Sequence, residues 1–139
     1  MTDIGKALAT QYFARFPHDP SLVDEILTPD FAFHHVREIE GPEAFRTFMG
    51  GVGNAFPDFR FDVHHLIAEA DLVAAHYTFS GTQNDVFLDV VPSQGKSFST
   101  RGMSLYRISG ERIAEIWVAF HTLSMMQQIG AVPELGGGV

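Results

Sequence analysis

The chain has 139 residues, of which 45% are hydrophobic, and these values are typical of a globular protein with one packed core. Its formal net charge of −8 argues against nucleic acid and anionic membranes as partners, because both require basic surfaces. The absence of cysteine excludes disulfide bonds and thiolate chemistry and fits a reducing compartment.

The sequence carries no sign of export or of membrane insertion. The first residues, MTDIGKALATQYF, lack the apolar block of a signal peptide. No apolar run approaches the roughly 20 residues that a membrane span requires. We therefore expect a cytoplasmic protein.

The N-terminal half is predicted to be mainly helical. A first helix over residues 4–16 is indicated by apolar residues at a spacing of four, namely Ile4, Leu8, Tyr12 and Phe16. Pro17 breaks this helix, and a short second helix is expected over residues 22–27. A third helix is expected over residues 43–52, directly after a Gly-Pro pair. The residues expected to end it are Gly50, Gly51 and Gly53.

The segment FAFHHV, residues 31–36, is predicted to be a short strand between the second and third helices. Successive side chains of a strand point to opposite faces. Phe31, Phe33 and His35 are therefore expected on one face, and Ala32 and His34 on the other. His35 is predicted to project into the same space as two phenylalanine rings.

The second half alternates as antiparallel strands do. Residues 59–82 contain two alternating runs around a turn at 69–71, and residues 97–120 form a second hairpin around the turn Ser109-Gly110-Glu111. Residues 83–95 are an irregular excursion between the two hairpins. The last residues have no periodicity, so we expect one domain over residues 1–133 and a flexible tail over residues 134–139.

This order of elements predicts an α+β fold. A curved antiparallel sheet is expected to carry about three N-terminal helices on its concave face and to enclose a pocket. We expect the chemistry in RIAEIWVAFHTLSMMQQIG, residues 112–130, a strand that leads into a short helix. Trp117, Ala119 and His121 share one face of that strand, and Ile116, Val118 and Phe120 share the other. The second face suits packing, and the first is expected to be a pocket wall.

Three stretches, GPEAFRTF (41–48), AFPDFRFDVHHLIAEADLVAAHYTFSGT (55–82) and RIAEIWVAFHTLSMMQQIGAVP (112–133), together resemble the SnoaL-like polyketide cyclases of the nuclear-transport-factor-2-like superfamily. The resemblance implies a cone-shaped α+β fold and acid/base closure of a ring by an intramolecular aldol-type reaction. The substrate would be a polyketide-like or other hydrophobic carbonyl compound, with neither a metal nor an organic cofactor. Because the fold serves several chemistries, two alternatives stay open: a ketosteroid-isomerase-like isomerase or dehydratase, and a non-catalytic ligand-binding dimer.

The resemblance also implies which residues act. The cyclases carry a catalytic aspartate four residues after a tryptophan, and His121 stands at that position; an imidazole can shuttle protons near neutral pH. The isomerase branch uses a donor tyrosine in the first helix and an aspartate base in the strand after the second helix. Tyr12 corresponds to the tyrosine and His35 to the aspartate, with His34 as the neighbouring alternative. Each of these residues could instead be a hydrogen-bonded structural residue.

The remaining candidates concern the shape of the pocket, metals and assembly. The residues expected to bind the substrate are Trp117, Phe33, Phe16, Met103 and Phe56, with Met125 and Met126 as core or pocket padding. His64 and His65 resemble a metal-binding pair, but neighbouring residues of a strand point to opposite faces, so no metal site is expected. The apolar convex face of the sheet is expected to join copies of the chain as a homodimer or tetramer.

Overall fold

The computed structural model describes residues 2–35, 37–87 and 91–133. The elements in chain order are α1 (Thr2–Arg15), α2 (Ser21–Ile26), β1 (Leu27–His34), β2 (Glu38–Glu40), α3 (Pro42–Ala55), β3 (Arg60–Glu69), β4 (Leu72–Thr82), β5 (Ser97–Ser109), β6 (Arg112–Phe120) and α4 (Thr122–Gln128). The predicted tail over residues 134–139 lies outside the described residues. None of the helices in the described ranges is long and apolar enough to cross a membrane.

The strands form one curved, open sheet in the order β2-β1-β6-β5-β4-β3. Both predicted hairpins are present, with β3 antiparallel to β4 and β5 antiparallel to β6. The predicted α+β class is confirmed. The expectation of an antiparallel sheet is wrong at one pair, because β1 lies parallel to β6. No tight turn joins these two strands, so nothing in the connection requires them to run in opposite directions.

Helix α3 continues past the glycines that were expected to end it. It covers Pro42–Ala55 and contains Gly50, Gly51 and Gly53. A glycine inside a helix costs roughly 0.5–1 kcal/mol relative to alanine. Met49 and Val52 are buried on the inner side of the helix, and burial of such a side chain stabilises by about 1.5–3 kcal/mol. Packing against the core therefore outweighs the low helix propensity of the glycines.

The core lies between the helices and the concave face of the sheet. Strand β4 shows this division clearly, because alternate residues from Val73 to Phe79 are buried and the residues between them are partly exposed. Aromatic rings from α1, α3 and the strands contact one another in this layer; for example, Phe16 of the loop after α1 lies 5.9 Å from Phe45 of α3, measured between ring centroids. Each strand therefore has an inner face toward the core and an outer face away from it.

Candidate active site

A cavity of about 120 Å³ lies inside this core, between the inner face of the sheet and the helices. The volume is roughly ten times the smallest space that holds one water molecule, so a small organic molecule fits. Most of the lining is phenylalanine, valine and methionine. The side chains in the lining that carry polar atoms besides Met sulfur are Tyr12, His35, Arg37, Tyr77, Ser104 and Thr122. A largely apolar cavity with a few polar groups is the usual form of a small-molecule site.

Several residues that the sequence indicated meet in this cavity. The predicted site residues that line it are Tyr12, Phe16, Phe33, His35 and Phe56. Met125 and Met126, expected as padding, line it as well. These side chains lie in, or directly after, four elements that are distant in sequence, α1, β1, α3 and α4.

His35 is held in one tautomer by the backbone of the last strand. Its Nδ1 lies 3.1 Å from the carbonyl oxygen of Val118. A carbonyl oxygen only accepts hydrogen bonds, so Nδ1 carries the proton and donates it. In the neutral ring, Nε2 is then left with a free lone pair. This Nε2 is buried and has no hydrogen-bond partner among the described residues.

The surroundings of His35 favour the neutral ring. Burial lowers its pKa below the ordinary value, and the hydrogen bond to Val118 opposes this shift only in part. The ring of Phe120 lies 4.4 Å away, measured between ring centroids, and adds an apolar neighbour. A buried imidazole with a free lone pair is a proton acceptor at neutral pH.

Two tyrosines supply hydroxyl groups to the same cavity. Tyr77 on β4 forms a hydrogen bond of 2.5 Å with Ser104 on β5, and burial raises the pKa of Tyr77 to about 12. Tyr12 on α1 is stacked on Phe16, with the ring centroids 5.3 Å apart, and burial raises its pKa well above the ordinary value. Both phenols therefore stay protonated near neutral pH and can donate to a developing negative charge.

Tyr77 and Ser104 were not among the predicted site residues, although the sequence contained a signal for them. Tyr77 shares the inner face of β4 with Val73, Ala75 and Phe79. Ser104 lies between buried Gly102 and Tyr106 on the inner face of β5. A polar side chain on the apolar face of an alternating strand requires a buried partner, and such a position is therefore a candidate for a site.

Trp117, Ala119 and His121, which were expected to form a pocket wall, do not line this cavity; Ala119 and His121 line a separate depression on the outer face. These residues lie on the outer face, where Trp117 is 37% exposed and His121 is also exposed. Met103, the other predicted pocket residue on this face, is 57% exposed. The cavity is instead lined by Val118 and Phe120 of the apolar face. The reason is physical: a cavity enclosed by packed helices lies within the core, so the face that packs is also the face that lines it.

His34 lies on the outer face as predicted, but its position does not suit a proton acceptor. Its Nδ1 lies 2.7 Å from Glu38 and its Nε2 lies 2.6 Å from Glu115. Carboxylates accept hydrogen bonds, so both ring nitrogens carry protons. The hydrogen bond to Glu115 raises the pKa of His34, with a smaller contribution from Glu38. The charged form of His34 is therefore favoured, and its hydrogen bonds link β1 to β2 and β6.

His64 and His65 also lie together on the outer face, contrary to the prediction. A β-bulge between Val63 and His65 breaks the alternation of β3. His64 bonds Thr78 at 2.8 Å, and Nδ1 of His65 lies 3.2 Å from Nδ1 of His76, both across the β3–β4 pair. In the described part of the chain no group of three His, Asp or Glu side chains is arranged to hold a metal ion.

Comparison with known proteins connects this architecture to one family. A family model described as SnoaL-like polyketide cyclase matches residues 7–129. Among solved structures, a candidate SnoaL-like polyketide cyclase from Jannaschia sp. CCS1 superposes with a TM-score of 0.84 at 23% sequence identity, over 95% of each chain. No curated protein sequence is significantly similar to the chain.

Two further structures have the same fold. TsrD from Streptomyces laurentii superposes with a TM-score of 0.83 at 24% identity, over 95% of this chain and 98% of that one. IdmH from Streptomyces antibioticus, a candidate polyketide cyclase, superposes with a TM-score of 0.75 at 23% identity, over 91% of this chain and 98% of that one. These similarities confirm the predicted cone-like fold of the nuclear-transport-factor-2-like proteins.

Proposed function

Because the chain belongs to the SnoaL-like polyketide cyclase family, we propose that it closes a ring within a hydrophobic carbonyl compound held in the inner cavity. The observation that carries this proposal is the state of His35. Its Nδ1–H is fixed on the Val118 carbonyl, and its buried Nε2 has no partner in the described ranges. A lone pair kept free in an apolar cavity is suited to removing a proton from a carbon acid.

The reaction begins when Nε2 of His35 takes a proton from a carbon that lies between two carbonyl groups. The enolate oxygen then accepts a hydrogen bond from the hydroxyl pair of Tyr77 and Ser104, with Tyr12 as a second donor from α1. The enolate carbon attacks another carbonyl of the same molecule and forms a carbon–carbon bond. The protonated His35 returns its proton to the new alkoxide, so the net reaction is a rearrangement of one molecule.

The rate acceleration in this mechanism would come from catalytic effects of known size. General acid/base catalysis contributes about 10²- to 10⁴-fold to a rate, and a well-placed hydrogen-bond donor to the oxyanion contributes about 10²- to 10³-fold. The aromatic lining supplies the remaining part by holding the substrate in a folded conformation in which the two reacting carbons are close. A carbon between two carbonyl groups is acidic enough for an imidazole, so the proposed steps use only the groups named above.

The test compares two histidines on opposite faces, with a panel of poly-β-carbonyl compounds as substrates. For His35→Gln we expect kcat to fall by about 10²- to 10⁴-fold, because the base is lost. For His121→Gln, on the outer face, we expect a rate within about twofold of the unchanged protein, as for a substitution that does not touch the reacting atoms. The opposite result would assign the reaction to the outer face. Circular dichroism of each variant checks the fold.

The pH dependence of kcat/KM gives a second readout of the same proposal. The base must be neutral to act, and burial lowers the pKa of His35 below its ordinary value. We therefore expect kcat/KM to be constant above about pH 6.5, the ordinary value for histidine, and to fall only at lower pH. An acid limb centred above the ordinary value would contradict His35 as the base. Mass spectrometry and NMR of the product separate ring closure from dehydration, since only dehydration loses water.

A non-catalytic module of the same fold would have a cavity filled by side chains, with His35 and His121 pointing away from each other. His35 and His121 do lie on opposite faces of the sheet, but side chains do not fill the cavity. The mechanism therefore depends on one imidazole and the buried hydroxyl groups instead of two imidazoles. An isomerase or dehydratase would begin with the same proton removal by His35, so product analysis decides among these reactions.

As a separate part of the proposal, two copies of the chain associate through the outer face of the sheet. Ile67 is 66% exposed, Met103 57% and Trp117 37%, and they lie on β3, β5 and β6 of one continuous sheet. Exposed apolar side chains on one face favour contact between two copies. We expect a homodimer by size-exclusion chromatography with light scattering, and a monomer for Met103→Glu. A monomeric unchanged protein would contradict the expectation.

A further inference from the structure

Three histidines meet on the outer face of the β3–β4 hairpin, away from the cavity. His65 and His76 are cross-strand partners in the antiparallel pair, and the bulge places His64 on the same face. The rings of His65 and His76 are stacked, with centroids 5.4 Å apart and planes inclined by 23°. The ring of His64 lies 5.5 Å from that of His76. The proposed reaction uses none of these residues.

The contact between His65 and His76 joins two atoms of the same kind. Nδ1 of one ring lies 3.2 Å from Nδ1 of the other. A hydrogen bond at this distance requires one proton between two lone pairs, because two protonated nitrogens would repel each other and two bare ones would leave no donor. The pair therefore brings two ring nitrogens to within 3.2 Å of each other, and a proton lies between them only when one ring donates it.

The same arrangement suits a metal ion. Nitrogen ligands lie about 2.0–2.1 Å from zinc, and two such ligands in a tetrahedral shell are therefore about 3.3–3.4 Å apart. The observed separation of 3.2 Å is close to this value. Imidazole is a preferred ligand of Zn²⁺ and Cu²⁺, and the formal charge of −8 attracts cations to the molecule. In the single chain His65 is exposed to solvent, and His76 lies opposite Met103, on the face proposed above for contact between two copies.

We propose that His65 and His76 form a two-histidine site for a divalent transition-metal ion, Zn²⁺ or Cu²⁺, on the outer face of the sheet. The ion replaces the shared proton and is bound by the two Nδ1 atoms. Water molecules fill the other coordination positions, since no third His, Asp or Glu ligand is in place within the described ranges. The site lies outside the inner cavity and is independent of the proposed cyclase reaction.

The test is isothermal titration calorimetry of the full, untagged chain with ZnCl₂ alone. We expect one zinc per chain, and at least about a tenfold weaker affinity for His65→Gln and for His76→Gln, because each substitution removes one of two ligands. The matched control is His34→Gln, a histidine of the same face on β1, three strands away from β4, for which the affinity should be unchanged. Circular dichroism checks that the variants fold.

Electron paramagnetic resonance with CuCl₂ counts the ligands independently. The unchanged protein should show hyperfine coupling from two imidazole nitrogens, and each single variant should show one or none. Three outcomes would overturn the proposal: no binding at millimolar zinc, binding that survives both substitutions, or a control variant that loses affinity as the others do. The last two would locate the ion elsewhere on the chain.

Discussion

His34 and His35 are neighbours in sequence but belong to two different regions of the molecule. His34 lies on the outer face, where it bonds Glu38 and Glu115 and has a raised pKa. His35 points into the core, where its ring donates a hydrogen bond to the Val118 carbonyl and has a pKa lowered by burial. One peptide unit thus separates a histidine whose charged form is favoured from one whose neutral form is favoured. The face of the sheet, and not the residue type, determines what each imidazole can do.

The same contrast extends over the two faces as a whole. The inner face carries buried hydroxyl groups that stay protonated, held against aromatic rings. The outer face carries ion pairs, exposed apolar side chains and paired histidines. Substitutions in three places test this division, in order of decreasing effect: the hydroxyl pair, two glycines and the outer ion pair.

The largest effect is expected for Tyr77→Phe. The substitution removes the hydroxyl that pairs with Ser104 in the cavity, and loss of a donor to the developing enolate should lower kcat by about 10²- to 10³-fold. Steady-state kinetics with the poly-β-carbonyl panel measures this loss.

Tyr106→Phe is the matched control for this experiment. The Tyr106 hydroxyl is buried without a hydrogen bond of normal geometry in the described part of the chain, and Tyr106 is absent from the cavity lining. We expect kcat to be unchanged and the free energy of unfolding to be equal or higher, because an unpaired buried hydroxyl is costly. Equal losses in both variants would show that the tyrosines act only through packing.

An intermediate effect is expected for Gly102→Ala on β5. A Cβ atom there would lie 2.9 Å from Cε1 of Tyr77 and 3.2 Å from Cβ of Phe120. Both neighbours line the cavity, so the added methyl must displace a ring or the backbone. We expect the free energy of unfolding to fall by about 1–3 kcal/mol, the usual cost of overpacking. Urea denaturation measures the change.

Gly50→Ala supplies the opposite case. A Cβ at Gly50 of α3 meets nothing within 4 Å, and alanine is the better helix former. The free energy of unfolding should therefore rise by about 0.4–1 kcal/mol. If Gly102→Ala raised stability as well, the packing around Tyr77 would be looser than described.

The smallest effect is expected for the ion pairs of His34. Its pKa is raised in the folded state, first by Glu115, so its stabilising contribution is complete below the unfolded value of about 6.5 and is lost as pH rises through the folded value. His34→Gln removes this contribution. Its free energy of unfolding should fall below that of the unchanged protein by less than about 1 kcal/mol near pH 6, because the pair is partly solvated.

The decisive observation is the sign of the pH dependence. The difference between the unchanged protein and His34→Gln should shrink from about pH 6 to about pH 9, where His34 has lost its proton. Urea denaturation at both values measures it. A difference that grows with pH would contradict a cationic His34. Buried His35 acts in the opposite sense, since its lowered pKa makes the fold less stable on acidification.

The sequence predicted the fold well because the fold depends on periodicity. Alternation along β1 placed His35 inside with Phe33 and His34 outside, and spacing by four placed Tyr12 on the inner side of α1. These placements follow from strand and helix geometry alone. The α+β class and both hairpin turns follow from the same patterns.

Periodicity could not show which face of β6 borders the cavity or where alternation fails. Alternation separates Trp117 from Val118 but gives no sign of where the helices pack, and the aromatic ring of Trp117 suggested the wrong face. The bulge beside His64 depends on the pairing of β3 with β4, which residue types do not specify. In α3, the burial of Met49 and Val52 outweighed the low helix propensity of the glycines, which had indicated an earlier end of the helix.

The parallel contact between β1 and β6 determines when the candidate base can form. The hydrogen bond that fixes the His35 tautomer joins residues 83 positions apart, and it exists only after the last strand has docked beside the first. Contacts of such long range require a costly loop closure. A chain still emerging from the ribosome would therefore lack both the complete cavity and the fixed imidazole, so turnover would report on completed folding.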